Sequence, residues 1–200
     1  PYTTLFRSPP WKDSEEPGEY TPKTLEGALS VLPGANVALI SLPGRYAAAE
    51  AMKALKRGLN VMLYSDNVSL EEEIELKRYA SRNELIVMGP DCGTVVINGQ
   101  GLGFSNVCPV GPVGIVSASG TGLQEVMVQL ARRGIGVKHG LGTGGRDIKS
   151  AVGGISSLTA VEALTSDPEI SVMVFISKPP SPEVREKIVQ ALRSSGKPSV

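Results

Sequence analysis

Apolar and polar positions fall in blocks along this chain rather than alternating residue by residue. Short apolar runs recur at Ala35 to Leu42, Asn60 to Ser65, Leu85 to Met88, Val113 to Ser117, Gly136 to Leu141 and Ile170 to Ser177. Runs of this length without polar alternation read as strands covered on both faces. Between them lie stretches whose apolar residues recur at helical spacing. These are Arg45 to Arg57, Leu70 to Arg82, the segment led by Leu123, Val126, Met127, Leu130 and Ala131, then Ser157 to Ser166 and Ser181 to Arg193. Thr24 to Leu32 reads as a shorter helix, and Val95 to Ile97 as a short extra strand.

Local signals agree with these boundaries. Ser69 followed by Glu72 forms a capping-box pattern. Gly58 suits a helix stop, and Ser181-Pro182 a helix start. Strand followed by helix, repeated, predicts an α/β fold with parallel sheets. In such sheets ligands bind beyond the C-terminal ends of the strands. Four glycine- or proline-rich turns follow strands here: 41–44, 89–94, 117–121 and 142–147.

The turn Ser117-Ala118-Ser119-Gly120-Thr121 carries the clearest chemistry. It joins a buried strand to a helix, so the first amides of that helix have no partner within it. The helix dipole adds positive potential at that end, and Gly120 and Gly122 leave room for an anion. Ser117, Ser119 and Thr121 add hydroxyls. The turn lacks the Gly-Lys-Ser/Thr of a Walker A loop and the spacing of a dinucleotide fingerprint.

Composition narrows the classes. The 200 residues carry 20 basic and 20 acidic side chains, so no basic excess marks a nucleic-acid footprint. Aromatics are 4%, too few for base-stacking platforms. No apolar run reaches the length of a membrane span. Cys92, Cys108 and the single His139 make no metal-ligand spacing. With no signal segment visible, a reducing, cytoplasmic setting is expected. His139, in an apolar strand among glycines, is expected to be a packed, hydrogen-bonded residue rather than a catalyst.

Longer motifs carry a family likeness. Val87-Met88-Gly89-Pro90-Asp91-Cys92-Gly93, Gly114 to Thr121 and Gly142 to Asp147, in that order, resemble the α-subunit of succinyl-CoA synthetase. Ser65 to Val68, Gly153 to Ser156 and Ser177 to Pro180 bring the likeness nearest to the FdrA subfamily of acyl-CoA synthetase-like proteins. The likeness spans roughly residues 35–200. It implies two parallel-sheet, three-layer domains. Residues 23–108 would form a partial Rossmann-like CoA-binding domain. Residues 113–200 would form an incomplete flavodoxin-like synthetase domain, with 101–112 as the connection. Residues 1–22 are read as an irregular segment, foreign to the fold in its first ten positions. The pattern near Gly196 reads as the start of another strand, so the fold is expected to run on past Val200.

The same likeness implies site residues. Ser41, Leu42 and Pro43 would touch CoA, and Cys92 could contact its thioester. Ser117, Ser119, Gly120 and Thr121 would face a phosphoryl group, joined by Gly144, Gly145, Arg146 and Asp147 of the second glycine turn. Gln124, where the synthetases carry a tyrosine, and Lys178 would meet substrate. Ser177 stands where the synthetases place a glutamate beside their phosphohistidine; that histidine would lie beyond Val200, and His139 is not its counterpart. The activity implied is acyl-CoA ligation through phosphate, with CoA and ATP or another phosphoryl donor, in a site shared with a second subunit or another copy. A carbamoyltransferase subunit, taking oxamate and carbamoyl phosphate in allantoin breakdown, is an alternative from the same likeness. A non-catalytic subunit binding CoA or a nucleotide is another.

Overall fold

The structure, a computed structural model, describes residues 22–200. The expectation for 1–22 therefore lies almost wholly outside the described residues. Two compact units divide the chain at Ala35. Among its described residues the first contains one short helix, α1 (Leu25–Val31), opened by Thr24, whose hydroxyl accepts from the Gly27 amide at 3.0 Å.

The second unit, residues 36–200, holds two sheets. In the first, β1 (Val37–Ile40), β2 (Asn60–Leu63) and β3 (Val87–Met88) lie side by side, all parallel. Helices α2 (Gly44–Lys56) and α3 (Leu70–Arg82) form the two crossovers. Both crossovers are long enough for a helix and too long for a hairpin, which forces parallel pairing. The Ser69 cap of α3 is the full reciprocal box with Glu72.

The second sheet runs in the order β5-β4-β7-β6-β8. Its central strands β6 (Val113–Ser117), β7 (Val137–Gly142) and β8 (Val172–Ile176) are parallel, linked by α4 (Gly120–Ala131) and α5 (Ile155–Ser166). Helix α6 (Pro182–Ser194) follows, and Ser199 then bridges Met173 in parallel. All five residues of β6 are buried, as the unbroken apolar run predicts.

The remaining strands depart from the all-parallel expectation. β4 (Thr94–Ile97) and β5 (Gln100–Gly103) form a hairpin, and β4 pairs antiparallel with β7. The second sheet thus begins at Thr94, within the stretch the sequence reading gives to the first domain. Gln-Gly-Leu-Gly in β5 carries no strand-like pattern, so it reads as connection. Asn98-Gly99, both at positive φ, makes the two-residue turn that defines the hairpin. Ser181 also differs: its side chain makes no cap bond to α6 but accepts instead from the Ser150 amide at 2.9 Å.

The two sheets share a core. Met62 and Met88 of the first pack in one cluster with Val95, Val116, Leu141 and the α5 residues Ala160, Val161 and Leu164. Each of those side chains is at most 7% exposed. The shared core brings C-terminal strand ends of both sheets to one cleft.

Candidate functional site

That cleft has a volume of about 670 Å³. The ends of β1 and β2 supply Ser41, Leu42, Ser65 and Asp66, and the turn after β3 supplies Asp91. Facing them are Phe104 after the hairpin, Ser119, Gly120, Thr121 and Gln124 of α4, and Lys178 beyond β8. The cleft thus lies beyond the C-terminal strand ends of both sheets, the place where ligands bind in folds of this class.

The mouth of α4 is built from its own turn. Ser117 Oγ accepts from the Ser119 amide at 3.1 Å and donates to the Ser119 carbonyl at 2.7 Å. Ser119 is the N-cap, and its Oγ accepts from the Gly122 amide at 3.2 Å. This leaves the amides of Gly120 and Thr121 with no carbonyl within the helix to accept them. Space is open there: a methyl on Gly120 would come no nearer than 3.8 Å to its closest neighbour, Thr94 Oγ1. Lys178 stands at the same end; its Nζ lies 3.5 Å from where a Gly145 methyl would sit.

Gln124 has a fixed orientation. Its Nε2 donates to Thr94 Oγ1 at 3.0 Å and to the Phe104 carbonyl. A carbonyl accepts only, so the Phe104 contact assigns the amide nitrogen. Phe104 in turn meets Tyr64 edge-on, with ring centroids 5.4 Å apart. Among the described residues, the charged side chains on the cleft are Asp66, Asp91 and Lys178.

The structure gathers Ser41, Leu42, Ser119, Gly120, Thr121, Gln124 and Lys178 of the expected residues around this cleft. Gly145 adjoins it through Lys178. Ser117 sits below, fully buried, as a support for the turn. Pro43 is the N-cap of α2, just outside the lining. The others are placed elsewhere. Gly144 has φ +83°, and a side chain there would reach within 2.7 Å of the Pro90 carbonyl. Asp147 is fully buried beneath the turn. Its Oδ1 accepts from Lys77 Nζ at 2.9 Å and its Oδ2 from the Ser157 amide at 2.8 Å, so its acceptors are used inside the fold. Arg146 pairs with buried Glu73 at 2.7 Å and donates to the Val68 carbonyl at 2.8 Å. Cys92 is buried and its thiol donates to the Gly142 carbonyl at 3.3 Å. Burial pushes its pKa up to about 12, so it is a packed thiol and not a thiolate.

His139 is the packed residue expected. Its Nδ1 accepts from the Asn98 amide at 3.3 Å, which puts the proton on Nε2, 3.0 Å from Asp167 Oδ2. Burial lowers its pKa, with Asp167 opposing. Lys138 bonds the same Asp167 at 2.8 Å and holds that carboxyl down at about 2.

Several functional positions escape a reading of the sequence. Tyr64 and Phe104 line the cleft without any motif of their own, and Ser65 and Asp66 join them from a motif that carried only the family likeness. From the order of charges along α3, Lys77 reads only as matching the helix dipole, yet it is fully buried. Its place between Leu76 and Ala80, both buried, is the signal: position 77 lies on the edge of the apolar face of α3.

Comparison with known proteins adds an independent line. Residues 110–200 match the CoA binding domain family. The match begins just ahead of β6 and takes in the whole α4 turn. Over 177 residues, or 88% of this chain, the sequence is 47% identical to the uncharacterized protein YahF of Escherichia coli (strain K12). It is 29% identical, over 72% of its length, to the α-subunit of succinate–CoA ligase [ADP-forming] of Aquifex aeolicus (strain VF5). The chain spans 34% of YahF and 48% of that ligase subunit, so it matches only part of each. Among solved structures, ATP citrate lyase of Methanothrix soehngenii, in complex with citrate and coenzyme A, superposes with a TM-score of 0.75 over 88% of this chain and 30% of its own. Its sequence identity is 24%. A dinucleotide-forming acetyl-coenzyme A synthetase of Ca. Korarchaeum cryptofilum gives 0.65 over 82% of this chain and 37% of its own, at 19% identity. At such identities the likeness is one of fold. Among the described residues, no helix is long and apolar enough to cross a membrane.

Proposed function

We propose that this chain forms part of a CoA-dependent acyl ligase of the FdrA type, whose cleft holds a phosphoryl group against the mouth of α4. The observation that carries this reading is the pair of unpartnered amides at Gly120 and Thr121, flanked by the Ser119 and Thr121 hydroxyls and Lys178. Donors fixed before the anion arrives stabilise developing negative charge without reorganising. The match over residues 110–200 and the ligase relatives support the same reading.

In this reading CoA enters from the side of the first sheet. Leu42 and the Tyr64–Phe104 pair offer an apolar wall beside the phosphate seat. That fits the thiol-bearing end of the cofactor. A single lysine and two aspartates do not fit the several phosphates of its nucleotide end, which belongs outside this cleft. The thiol end brings a nucleophile for an acyl phosphate. The protein's own groups orient the phosphate, and no histidine stands among the described residues that line the cleft. A site completed by a second subunit or another copy accounts for that. ATP or another phosphoryl donor and the small acyl acid belong to the complete enzyme.

Transfer of a carbamoyl group is a second reading, favoured by one feature: the fixed amide of Gln124 in the cleft wall can pair with another amide. Both share the phosphate seat. Calorimetry separates outcomes. Inorganic phosphate and CoA should each give a saturable heat, and Ser119→Ala should weaken phosphate but not CoA. Phosphate release from carbamoyl phosphate that depends on oxamate would select the second reading. No heat with phosphate would contradict both.

A further inference from the structure

Lys77 of α3 is a costly residue to bury. Its side chain is 0% exposed, and its ammonium meets Glu73 Oε1 at 2.8 Å, Asp147 Oδ1 at 2.9 Å and the Thr143 carbonyl at 2.9 Å. Two of its donors make hydrogen bonds, to Thr143 and Asp147, and Glu73 adds an ion pair. Buried ion pairs are often no more stabilising than apolar side chains of similar volume. Stability alone therefore does not call for a lysine here. An apolar side chain would fill the space, but it would not hold the Thr143 carbonyl.

Thr143 leads directly to the cleft. Its amide donates to the Ser117 carbonyl at 2.8 Å, and its hydroxyl reaches the same oxygen at 3.3 Å. Ser117 then holds Ser119, the cap of α4, through the two bonds between its hydroxyl and the Ser119 backbone. An unbroken series of hydrogen bonds thus runs from α3, on the first sheet, to the mouth of α4 on the second. Asp147 steadies its near end by accepting from the Ser156 and Ser157 amides at the start of α5 at 3.0 and 2.8 Å. Arg146, bonded to Glu73 and to the Val68 carbonyl, balances the remaining charge. The charged groups facing Lys77 are Glu73 and Asp147, with Arg146 beyond Glu73.

We propose that Lys77 is a positioning residue for the phosphate seat, fixing the pose of the Ser117–Thr121 turn through Thr143. This rests on the phosphate reading above. Lys77 touches no ligand; it sets where the donors point.

The test separates positioning from stability. Lys77→Met leaves two buried carboxylates facing one arginine and should lower the melting temperature. The double variant Lys77→Met with Glu73→Gln restores the formal charge balance, with Asp147 still held by the Ser156 and Ser157 amides. Its melting temperature should recover toward that of the unaltered protein. Its phosphate dissociation constant, measured by calorimetry, should stay about tenfold weaker or more, because misplacing donors is costly in itself. Recovery of affinity together with stability would make Lys77 merely structural and overturn the proposal while leaving the phosphate reading intact. If the unaltered protein shows no phosphate heat, both fall. Nitrogen NMR on the unaltered protein keeps the proposal testable should the double variant not fold. The Lys77 ammonium resonance should shift on saturation with phosphate, and an unmoved resonance overturns it.

Discussion

Two glycine-rich turns in this molecule look alike as sequence and do different work. Ser117 to Thr121 and Gly142 to Asp147 each follow a parallel strand of the same sheet. The first opens onto the cleft with free amides. The second is packed shut: Gly142, Thr143, Gly144 and Asp147 are all buried. The difference comes from what fills the space in front of each turn. Before α4 the cap is a small hydroxyl from the turn itself, and neighbouring atoms stay clear of Gly120. Before α5 the buried carboxylate of Asp147 takes the Ser156 and Ser157 amides, doing internally what a bound anion does elsewhere. A glycine turn is thus left open to an anion only where the protein has not supplied one.

The largest effect should come from removing that internal anion. Asp147→Asn leaves Lys77 short of a partner and takes a charged acceptor from two α5 amides. A loss of about 3–5 kcal/mol in denaturant unfolding is expected. A change under about 1 kcal/mol would mean the second turn is not held this way.

Alanine at the two glycines sharpens the contrast. Gly144→Ala would set a methyl 2.7 Å from the Pro90 carbonyl at φ +83°, and should cost about 2 kcal/mol or more. Gly120→Ala meets nothing closer than 3.8 Å and should stay within about 0.5 kcal/mol. Similar losses at both would erase the distinction. Ser119→Ala should cost about 1 kcal/mol, the usual value for a lost N-cap, and should also weaken phosphate.

Two smaller effects test the outer parts of the sheet. Iodoacetamide at pH 8 should label Cys108, which is only partly covered, before Cys92, whose pKa is about 12. His139 has a lowered folded pKa, so the unfolded chain binds its proton more readily. Its stabilising contribution should be full above the ordinary pKa of 6.5 and fall away as pH drops below it. Asp167, lowered to about 2 by Lys138, should lose its contribution between the ordinary 3.8 and about 2. His139→Gln should flatten the first window and leave the second.

Much of the fold was legible in the sequence because its cues were local. The apolar runs of β1, β2 and β6, the Ser69–Glu72 box and the Leu123–Met127 face depend on near neighbours. The hairpin at 94–103 was not, since β5 has no strand pattern and is held by pairing with β4. The site divides the same way. Ser119, Gly120 and Thr121 announce themselves through turn chemistry. Arg146 and Asp147 fit the same pattern, yet their partners, Glu73 and Lys77, lie about 70 residues away in sequence. No spacing rule reveals that pairing. Lys77 shows the limit most clearly: its helical neighbours mark it as near the core, but only the fold shows the carbonyl it holds.

A crystal soaked in phosphate tests the central claim most directly. Density should appear within hydrogen-bond reach of the Gly120 and Thr121 amides and beside Lys178, with none at Gly142 to Asp147. Density at the second turn instead, or at neither turn, would contradict it.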